Sequence, residues 1–303
     1  MNKYLDLTAE ISSALANGKP LVALESTIIA HGMPYPQNFD MAQEVEAIIR
    51  DAGAIPATIA IIDGKLKVGL SNDELKKFAV DGPSVVKVSV RDMPYVVARK
   101  IVGATTVAST SRIAAMAGIH VFATGGIGGV HRGAERSFDI STDMTEFAES
   151  NVAVVTAGAK AILDLALTLE TLETLGVPVV GYGTDDFPAF YSRSSGHAVP
   201  MRCDTPAEVA SLMKAKWGMG LKGGVVIANP IPKEHEIPAA EIAPVIEKAV
   251  AEAARQKISG KNVTPFLLAR LAEVTGGRSL KANIALVKHN AVIAAEIAKA
   301  FAK

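Results

Sequence analysis

Short runs of valine, isoleucine and alanine alternate along the chain with longer segments in which apolar residues recur every three or four positions. Runs with the length and composition of buried strands are LVALEST, ATIAIID, SVVKVS, IHVFATGG, VAVVTAG, PVVGYG and GGVVIANP. Segments with helical periodicity include NFDMAQEVEAIIRDAG, TVASTSRIAAMAG and AKAILDLALTLETLETLG. Strands that alternate with helices are typical of βαβ units. The pattern therefore predicts an α/β fold with a mixed, mostly parallel central sheet flanked by helices.

Local turn and cap residues refine this outline. Asp63 and Gly64 lie between ATIAIID and KLKVGL, which predicts a tight hairpin, and Ser71 with Glu74 predicts a capping box at the helix SNDELKKF. From Pro238 onward the pattern is helical and ends in an alanine-rich helix near residues 279–302, so we expect a helical C-terminal region that caps the fold. Because there is no repeat of fixed period and no clear linker, we expect residues 1–303 to form a single α/β domain.

The charge balance limits the classes of partner. The chain has 31 Lys and Arg against 31 Asp and Glu, so it lacks the surplus of cations that binding to a nucleic-acid polymer or an anionic membrane usually needs. Cys203 is the only cysteine in the sequence, which excludes an internal disulfide and a cysteine-based zinc site. The start of the chain lacks the features of a signal peptide, and apolar runs stop short of the roughly 20 residues of a membrane span. We therefore expect a soluble, cytoplasmic protein.

A glycine-rich stretch follows one predicted strand. Gly125, Gly126, Gly128 and Gly129 do not form a dinucleotide-binding fingerprint, because the third glycine of that motif would fall on His131. Two interpretations stay open. The stretch is either a flexible turn or a place where missing side chains let the backbone approach a ligand.

Groups that bind anions and metals follow these glycines closely. The hydroxyls of Ser141 and Thr142, with Asp143, precede a helical segment, where free N–H groups form a ready phosphate site, although an ordinary helix cap explains Ser141 or Asp143 as well. Asp139 is not needed for that cap. Its carboxylate is a hard oxygen ligand suited to Mg²⁺ or Mn²⁺.

Two lysines occupy unusual positions. Lys160 follows the strand VAVVTAG and is predicted to lie in the first turn of the next helix, where the macrodipole disfavours an ammonium group. That field would favour the neutral amine, which can attack a carbonyl carbon, although a lysine that extends to solvent is the ordinary alternative. Lys87 lies within the apolar strand SVVKVS, which a carboxylate partner could explain without any function.

Glu25 ends an apolar strand and is followed by Ser26 and Thr27. The carboxyl ends of strands in α/β sheets are where ligands bind. Partial burial there would raise the pKa of the carboxyl group toward the range useful for proton transfer. Glu25 is therefore a candidate acid.

Several long strings carry a specific resemblance. The segments ALESTIIAHGMPYPQN, GATTVAST, TGGIGGVHRGAE, DISTDMTE, AGAKAILD and SLKANIALVKHNA resemble those of the pseudouridine-5′-phosphate glycosidase family, in the same order and from about residue 21 to about residue 290. The related indigoidine synthase A-like proteins share the fold. One departure is KHN near the C-terminus, where the family more often has two asparagines, so the role of the position of His289 is open.

The resemblance implies an activity and a set of partners. It implies reversible conversion of pseudouridine 5′-phosphate and water into uracil and ribose 5-phosphate, with one divalent ion, usually Mn²⁺, in each subunit of a homotrimer. Lys160 would be the covalent nucleophile, Glu25 the proton donor and Asp139 the metal ligand. The substrate-binding residues by the same resemblance are Lys87, Val107, His131, Ser141, Thr142, Asp143 and Asn283.

This chemistry suits the residue types. Pseudouridine joins ribose to uracil through carbon, so protonation of a nitrogen leaving group cannot release the base. If the ribose ring opens and C1′ forms an imine with Lys160, the iminium provides the electron sink. An acid such as Glu25 then transfers the proton at the sugar oxygen or the uracil carbon. Two other functions stay open. The chain could be a related glycosyl lyase that acts on another phosphorylated sugar conjugate, or a non-catalytic protein that binds phosphosugars.

Overall fold

Most of the strands form where short apolar runs occur in the sequence. The computed structural model describes residues 2–258, 260 and 263–303. Its strands are β1 (Leu5–Leu7), β2 (Leu21–Leu24), β3 (Ile55–Ile62), β4 (Lys65–Val68), β5 (Val86–Val88), β6 (Gly103–Thr105), β7 (Val121–Ala123), β8 (Val130–His131), β9 (Ala153–Thr156), β10 (Leu163–Asp164), β11 (Val179–Tyr182), β12 (Met201–Cys203) and β13 (Val225–Ala228).

The helices follow the segments of helical periodicity. They are α1 (Ala9–Ala16), α2 (Thr27–His31), α3 (Gln37–Asp51), α4 (Asn72–Asp81), α5 (Met93–Ala98), α6 (Val107–Ala117), α7 (Ala134–Ser137), α8 (Thr142–Glu149), α9 (Leu165–Thr174), α10 (Pro206–Gly218), α11 (Ala239–Arg255), α12 (Val263–Val274) and α13 (Arg278–Phe301). The predicted helical C-terminal region is confirmed for the described residues. Residues 259, 261 and 262 of that region lie outside them.

The central sheet is mixed and mostly parallel, as predicted. Eleven strands join in the order β1-β4-β3-β2-β7-β9-β13-β11-β12, and β6 connects β5 to β3. The run from β3 to β12 is parallel, whereas β3 pairs antiparallel with β4 and β6. Strands β2, β9 and β13 are buried along their whole length, which explains their nearly continuous apolar sequences. Because β2, β7, β9 and β13 are parallel neighbours, their carboxyl ends meet at one edge of the sheet.

The local predictions from turn and cap residues are confirmed. Strands β3 and β4 form an antiparallel hairpin, with φ of 51° at Asp63 and 75° at Gly64, as a tight turn between two strands requires. The Ser71 side chain accepts from the Glu74 backbone N–H, and the Glu74 carboxylate accepts from the Ser71 backbone N–H.

The last helix is part of the core rather than a cap. Helix α13 packs on strands β2, β7 and β9 and on helices α3 and α10. Leu286, Ala291 and Ala294 are fully buried in these contacts. Periodicity identifies the helix, but its small alanine side chains let several elements approach it closely, so the expected capping position is wrong.

Two element boundaries also differ from the prediction. The strand predicted over residues 21–27 ends at Leu24, because Ser26 is the N-cap of helix α2. The helix predicted from residue 159 begins at Leu165, because Leu163 and Asp164 pair with β8 instead. None of the described helices has the length and apolar character needed to cross a membrane.

Candidate active site

A cleft of about 370 Å³ opens at the carboxyl ends of the central strands. This volume is within the usual range for a small-molecule site. Every site residue predicted from the sequence lies on its wall: Glu25, Lys87, Val107, His131, Asp139, Ser141, Thr142, Asp143, Lys160 and Asn283.

Glu25 is a buried carboxyl group at the cleft. It follows β2 directly and is 8% exposed. Its Oε1 accepts a hydrogen bond of 2.5 Å from the Thr124 hydroxyl. Burial raises the pKa of Glu25, while the positive charge of Lys160 and the Thr124 hydrogen bond oppose that rise. The group therefore holds a proton more readily than an exposed glutamate, as a proton donor near neutral pH requires.

Lys160 lies in the loop between β9 and β10, not in the first turn of a helix. Its backbone N–H donates to the Ile127 carbonyl oxygen at 3.0 Å, and Ile127 also bridges to Ala159. The predicted effect of a helix macrodipole on Lys160 is therefore wrong, since α9 begins five residues later. The loop that carries Lys160 pairs with the glycine-rich loop, which contains Gly125, Gly126, Gly128 and Gly129. This pairing places the amine in the cleft.

The glycine-rich loop is packed against the protein's own side chains. A Cβ at Gly126 would lie 2.5 Å from the ring of Phe190, and one at Gly128 would lie 2.6 Å from Cβ of Ser141 and 2.7 Å from Oδ2 of Asp143. These are closer than real Cβ atoms approach. The interpretation as a flexible turn is therefore wrong at these two positions. Gly126 and Gly128 also line the cleft, which keeps the second interpretation, a backbone that approaches a ligand, open.

Asp143 joins three elements at the cleft wall. Its Oδ1 accepts from the Ala108 N–H at 2.9 Å, and its Oδ2 accepts from the Gly128 N–H at 2.7 Å. Ser141 caps α8, as predicted, by accepting from the Asp143 N–H. The carboxylate thus joins the first turn of α6 to α8 and to the glycine-rich loop.

The cleft also presents groups that attract an anion. Helix α6 begins at its wall with Thr106 as N-cap and Val107 as first residue, and the positive end of a helix dipole favours negative charge. Lys87, in the middle of β5, and Lys160 add cationic side chains. The Asp143 carboxylate already accepts from the Ala108 N–H of this helix end, so binding of a further anion there would depend on the lysine side chains.

Asp139 offers one carboxylate to a metal ion. The His131 backbone N–H donates to the Asp139 carbonyl oxygen at 3.0 Å, so the two residues are neighbours on the wall. Among the described residues, no group of three or more His, Cys, Asp and Glu side chains could hold a metal together. The donors present therefore fit a largely hydrated Mg²⁺ or Mn²⁺ held by one carboxylate, and do not fit a closed protein site.

Asn283 brings an unused hydrogen-bond acceptor to the cleft. It lies on α13 and is 5% exposed, and its Oδ1 has no hydrogen-bond partner among the residues that the structure describes. Buried polar atoms of native proteins nearly always have partners. A ligand N–H or O–H group would supply the missing one.

The cleft wall includes residues that sequence reasoning did not select. They are Thr27, Ile28, His31, Gly32, Ser89, Arg91, Thr106, Ile140, Leu163, Phe190, Gly260, Thr264, Pro265 and Leu268. Phe190 is notable because its φ of 64° is in the left-handed region, which a bulky side chain rarely adopts. Nothing in its local sequence indicates this conformation. Thr106, in contrast, could have been found as the N-cap that precedes VAST.

Comparison with known proteins places the chain among proteins of one family. The profile of "Indigoidine synthase A like protein" matches residues 10–300. The pseudouridine-5′-phosphate glycosidase of Nocardioides sp. is 62% identical over 98% of this chain and 97% of its own length. That of Deinococcus radiodurans is 58% identical over 100% of this chain and 96% of its own length.

Solved structures show the same fold. The prealnumycin C-glycosynthase in complex with ribulose 5-phosphate superimposes with a TM-score of 0.91 at 40% identity, over 100% of this chain and 98% of that one. An indigoidine synthase A-like protein from Thermotoga maritima gives a TM-score of 0.90 at 39% identity, over 99% and 97% of the two chains.

Proposed function

The chain belongs to the indigoidine synthase A-like family, and from that premise we propose that it reversibly cleaves pseudouridine 5′-phosphate, with water, to uracil and ribose 5-phosphate. Relatives at 57–62% identity over nearly the whole chain carry the name of this activity. The structural observation that carries the proposal is the meeting of Glu25 and Lys160, an acid and an amine, on one cleft wall.

The proposed reaction uses Lys160 as nucleophile. The Lys160 amine forms a bond to C1′ as the bond from C1′ to the ring oxygen breaks and the ribose ring opens. The proton that the amine loses goes to that oxygen, which becomes the C4′ hydroxyl. The bond between C1′ and the uracil carbon then breaks, and its electron pair stays on uracil. The nitrogen lone pair of Lys160 forms the C=N bond of an imine. In this direction uracil accepts the electron pair, so the iminium is the electron sink only in the synthetic direction. Water hydrolyses the imine, which releases ribose 5-phosphate and restores the amine.

Glu25 would be the proton donor in this sequence. Its raised pKa keeps the carboxyl group protonated at a higher pH than usual, so it can give a proton to the uracil carbon as the C–C bond breaks. The Thr124 hydroxyl fixes the orientation of the carboxyl group. The same group, once ionised, can take the proton back in the synthetic direction.

The remaining wall residues would hold the open-chain substrate. We assign the phosphate and sugar contacts to Lys87, Val107, Ser141, Thr142, His131 and Asn283, with Asp143 fixing the backbone around them. Holding both ends of a flexible sugar places C1′ near the amine. A hydrated Mn²⁺ on Asp139 would polarise and orient substrate oxygens when bound.

Assembly and location complete the proposal. We propose that the chain forms a homotrimer in the cytoplasm, with one divalent ion in each subunit. Sedimentation equilibrium of the purified protein tests the assembly, and a monomer or dimer at micromolar concentration contradicts it.

Release of uracil from pseudouridine 5′-phosphate tests the function. We expect stoichiometric uracil and ribose 5-phosphate from the wild-type protein with Mn²⁺, and loss of most activity in a chelator. The Asp139→Ala variant should be as slow with Mn²⁺ as the wild-type is without it, with an unchanged circular dichroism spectrum. Full turnover of that variant in chelator would show that the metal assignment is wrong.

One observation favours a second function. The similarity to a C-glycosynthase, at 40% identity, makes a sugar conjugate with an aglycone other than uracil the principal alternative. Incubation with ribose 5-phosphate and a panel of planar aromatic acceptors, uracil among them, separates the two. Synthesis of pseudouridine 5′-phosphate alone favours the glycosidase.

A further inference from the structure

Four buried polar residues form a row at the carboxyl ends of adjacent strands. Glu25 follows β2, Thr124 follows β7, Thr156 ends β9 and Asn229 follows β13, and each is less than 10% exposed. Burial of polar groups costs free energy unless each has a hydrogen-bond partner. The four residues are therefore stable at these buried positions only if each has hydrogen-bond partners.

Thr124 is the centre of this network of hydrogen bonds. Its backbone N–H donates to the Val155 carbonyl at 3.0 Å, and its hydroxyl donates to Glu25 at 2.5 Å. Its carbonyl oxygen accepts from the side-chain amide of Asn290 at 2.7 Å. Both the backbone and the side chain of this residue are thus held in place.

Asn290 fixes the network from above the sheet. It lies on α13 and is 1% exposed. Its Oδ1 accepts from the Asn229 amide at 2.9 Å, while its own amide N–H groups face the carbonyls of Thr124 and Gly125. Only one orientation of the Asn290 side chain satisfies these partners, because the flipped amide would set oxygen against oxygen.

His289 completes the arrangement at its outer end. Its Nδ1 lies 3.1 Å from the Asn229 amide, which has its second hydrogen free for this bond. Burial lowers the pKa of His289, so the ring is neutral near pH 7 and Nδ1 can accept. An asparagine at this position would offer its side-chain oxygen in the same role.

We propose that Asn290 is a positioning residue for Glu25: through Thr124 it holds the carboxyl group in the orientation needed for proton transfer. The proposal rests on the role of Glu25 in the proposed function. Asn290 is not among the described residues that line the cleft, and its hydrogen bonds go to Thr124, Gly125 and Asn229, so its effect on Glu25 passes through the Thr124 backbone and hydroxyl. A shift of about 1 Å in a reacting group can cost about 100-fold in rate, which makes such support consequential.

Steady-state kinetics of uracil release test the proposal. We expect Asn290→Leu and Thr124→Val to lower kcat by about 10- to 100-fold, with KM changed less than about threefold. Loss of the hydrogen bond that favours the ionised carboxylate should move the basic limb of the kcat profile to higher pH. Thr124→Ser keeps the hydroxyl and His289→Asn keeps an acceptor, so both should stay close to the wild-type rate.

Asn38 supplies a matched control. It is a buried asparagine whose amide donates to two backbone carbonyls, those of Ile29 and Ala79, both at 2.8 Å. Among the described residues, its side chain has no hydrogen bond to Thr124 or Glu25. Asn38→Leu should lower thermal stability, as Asn290→Leu should, but leave the shape of the pH profile unchanged. Equal pH profiles for wild-type, Asn290→Leu and Thr124→Val would overturn the proposal.

A double-mutant cycle separates this proposal from the proposed function. In the Glu25→Gln background, Asn290→Leu should cost almost no further activity, because the group that it positions is gone. Additive losses would overturn the positioning role. Full activity of Glu25→Gln alone would instead contradict the proposed function. If Asn290→Leu does not fold, the same cycle is measured with Thr124→Val in its place.

Discussion

Glu25 and Glu146 are both buried glutamates, but their partners differ in kind. Glu146, on α8, accepts from Arg112 at 2.9 Å and from the Ser150 hydroxyl, so a guanidinium is in direct contact with it. Glu25 has a hydroxyl partner in Thr124, and the cations that influence its pKa, Lys160 and Lys87, act through their charges. Burial raises the pKa of both carboxyl groups, and Arg112 and Ser150 oppose that rise at Glu146.

The difference in partners indicates a different role for each carboxyl group. A guanidinium in contact with a carboxyl group favours its ionised form, and here the pair of Arg112 and Glu146 joins α6 to α8. A buried carboxyl group without a contacting cation can change its protonation state, and Glu25 lies at a cleft where such a change can be coupled to a reaction. Burial alone thus does not distinguish a structural carboxylate from a reactive one.

Glu25→Gln should have the largest effect on activity. The amide keeps the shape of the side chain but cannot give up a proton, so we expect uracil release to fall by about 10²- to 10⁴-fold. Thermal unfolding should change little, because the substitution removes a buried ionisable group without opening a cavity. A variant with more than about half of wild-type activity would contradict the assignment.

Glu146→Gln should affect stability rather than catalysis. The change leaves Arg112, which is 34% exposed and keeps Glu149 as a partner, without its buried counter-charge, so we expect a loss of about 1 to 3 kcal/mol in the free energy of unfolding. Urea denaturation measures this loss. Uracil release per folded molecule should be unchanged. A large fall in kcat would contradict the assignment of a structural role to Glu146 and a catalytic role to Glu25.

The pH dependence of stability gives the smallest expected effect. The folded-state pKa of Glu25 lies above the unfolded value of 4.5, so above that pH the folded chain binds more protons than the unfolded one. Stability contributed by the protonated group is complete below pH 4.5 and is lost as the pH rises through the folded pKa. The stability of Glu25→Gln relative to the wild-type should therefore increase with pH.

Glu10 provides the control of opposite sign for that experiment. A hydrogen bond from Arg50 lowers the pKa of Glu10, so its stabilising contribution is present above the unfolded value and is lost as the pH falls. Glu10 is largely exposed, so Glu10→Gln should show only a small difference. If the stability of both variants relative to the wild-type changed with pH in the same direction, the opposite pKa shifts of Glu25 and Glu10 would be contradicted.

Local sequence chemistry predicted the parts of the fold that depend on neighbours in the chain. Asp63 and Gly64 specify a turn through their own backbone preferences, and Ser71 with Glu74 specify a cap across one helical turn. The resemblance to a family then located the cleft residues, which come from strands and loops far apart in the sequence. Their position on one wall follows from the parallel sheet, whose strand ends meet at one edge.

The features that sequence reasoning missed depend on tertiary pairing. Residues 159–164 have helical periodicity, yet Leu163 pairs with His131 and the helix starts later. The contact between Asn229 and Asn290 joins positions 61 residues apart. No local pattern encodes such a contact, because it depends on how α13 lies across the sheet.

Reductive trapping of Lys160 tests the central claim most directly. Borohydride added to the wild-type protein with ribose 5-phosphate should reduce the imine to a stable amine, and peptide mass mapping should find the sugar phosphate on Lys160. The adduct should be absent without the sugar and in Lys160→Met. An active enzyme that gives no adduct, or an adduct on Lys87 instead, would contradict the account.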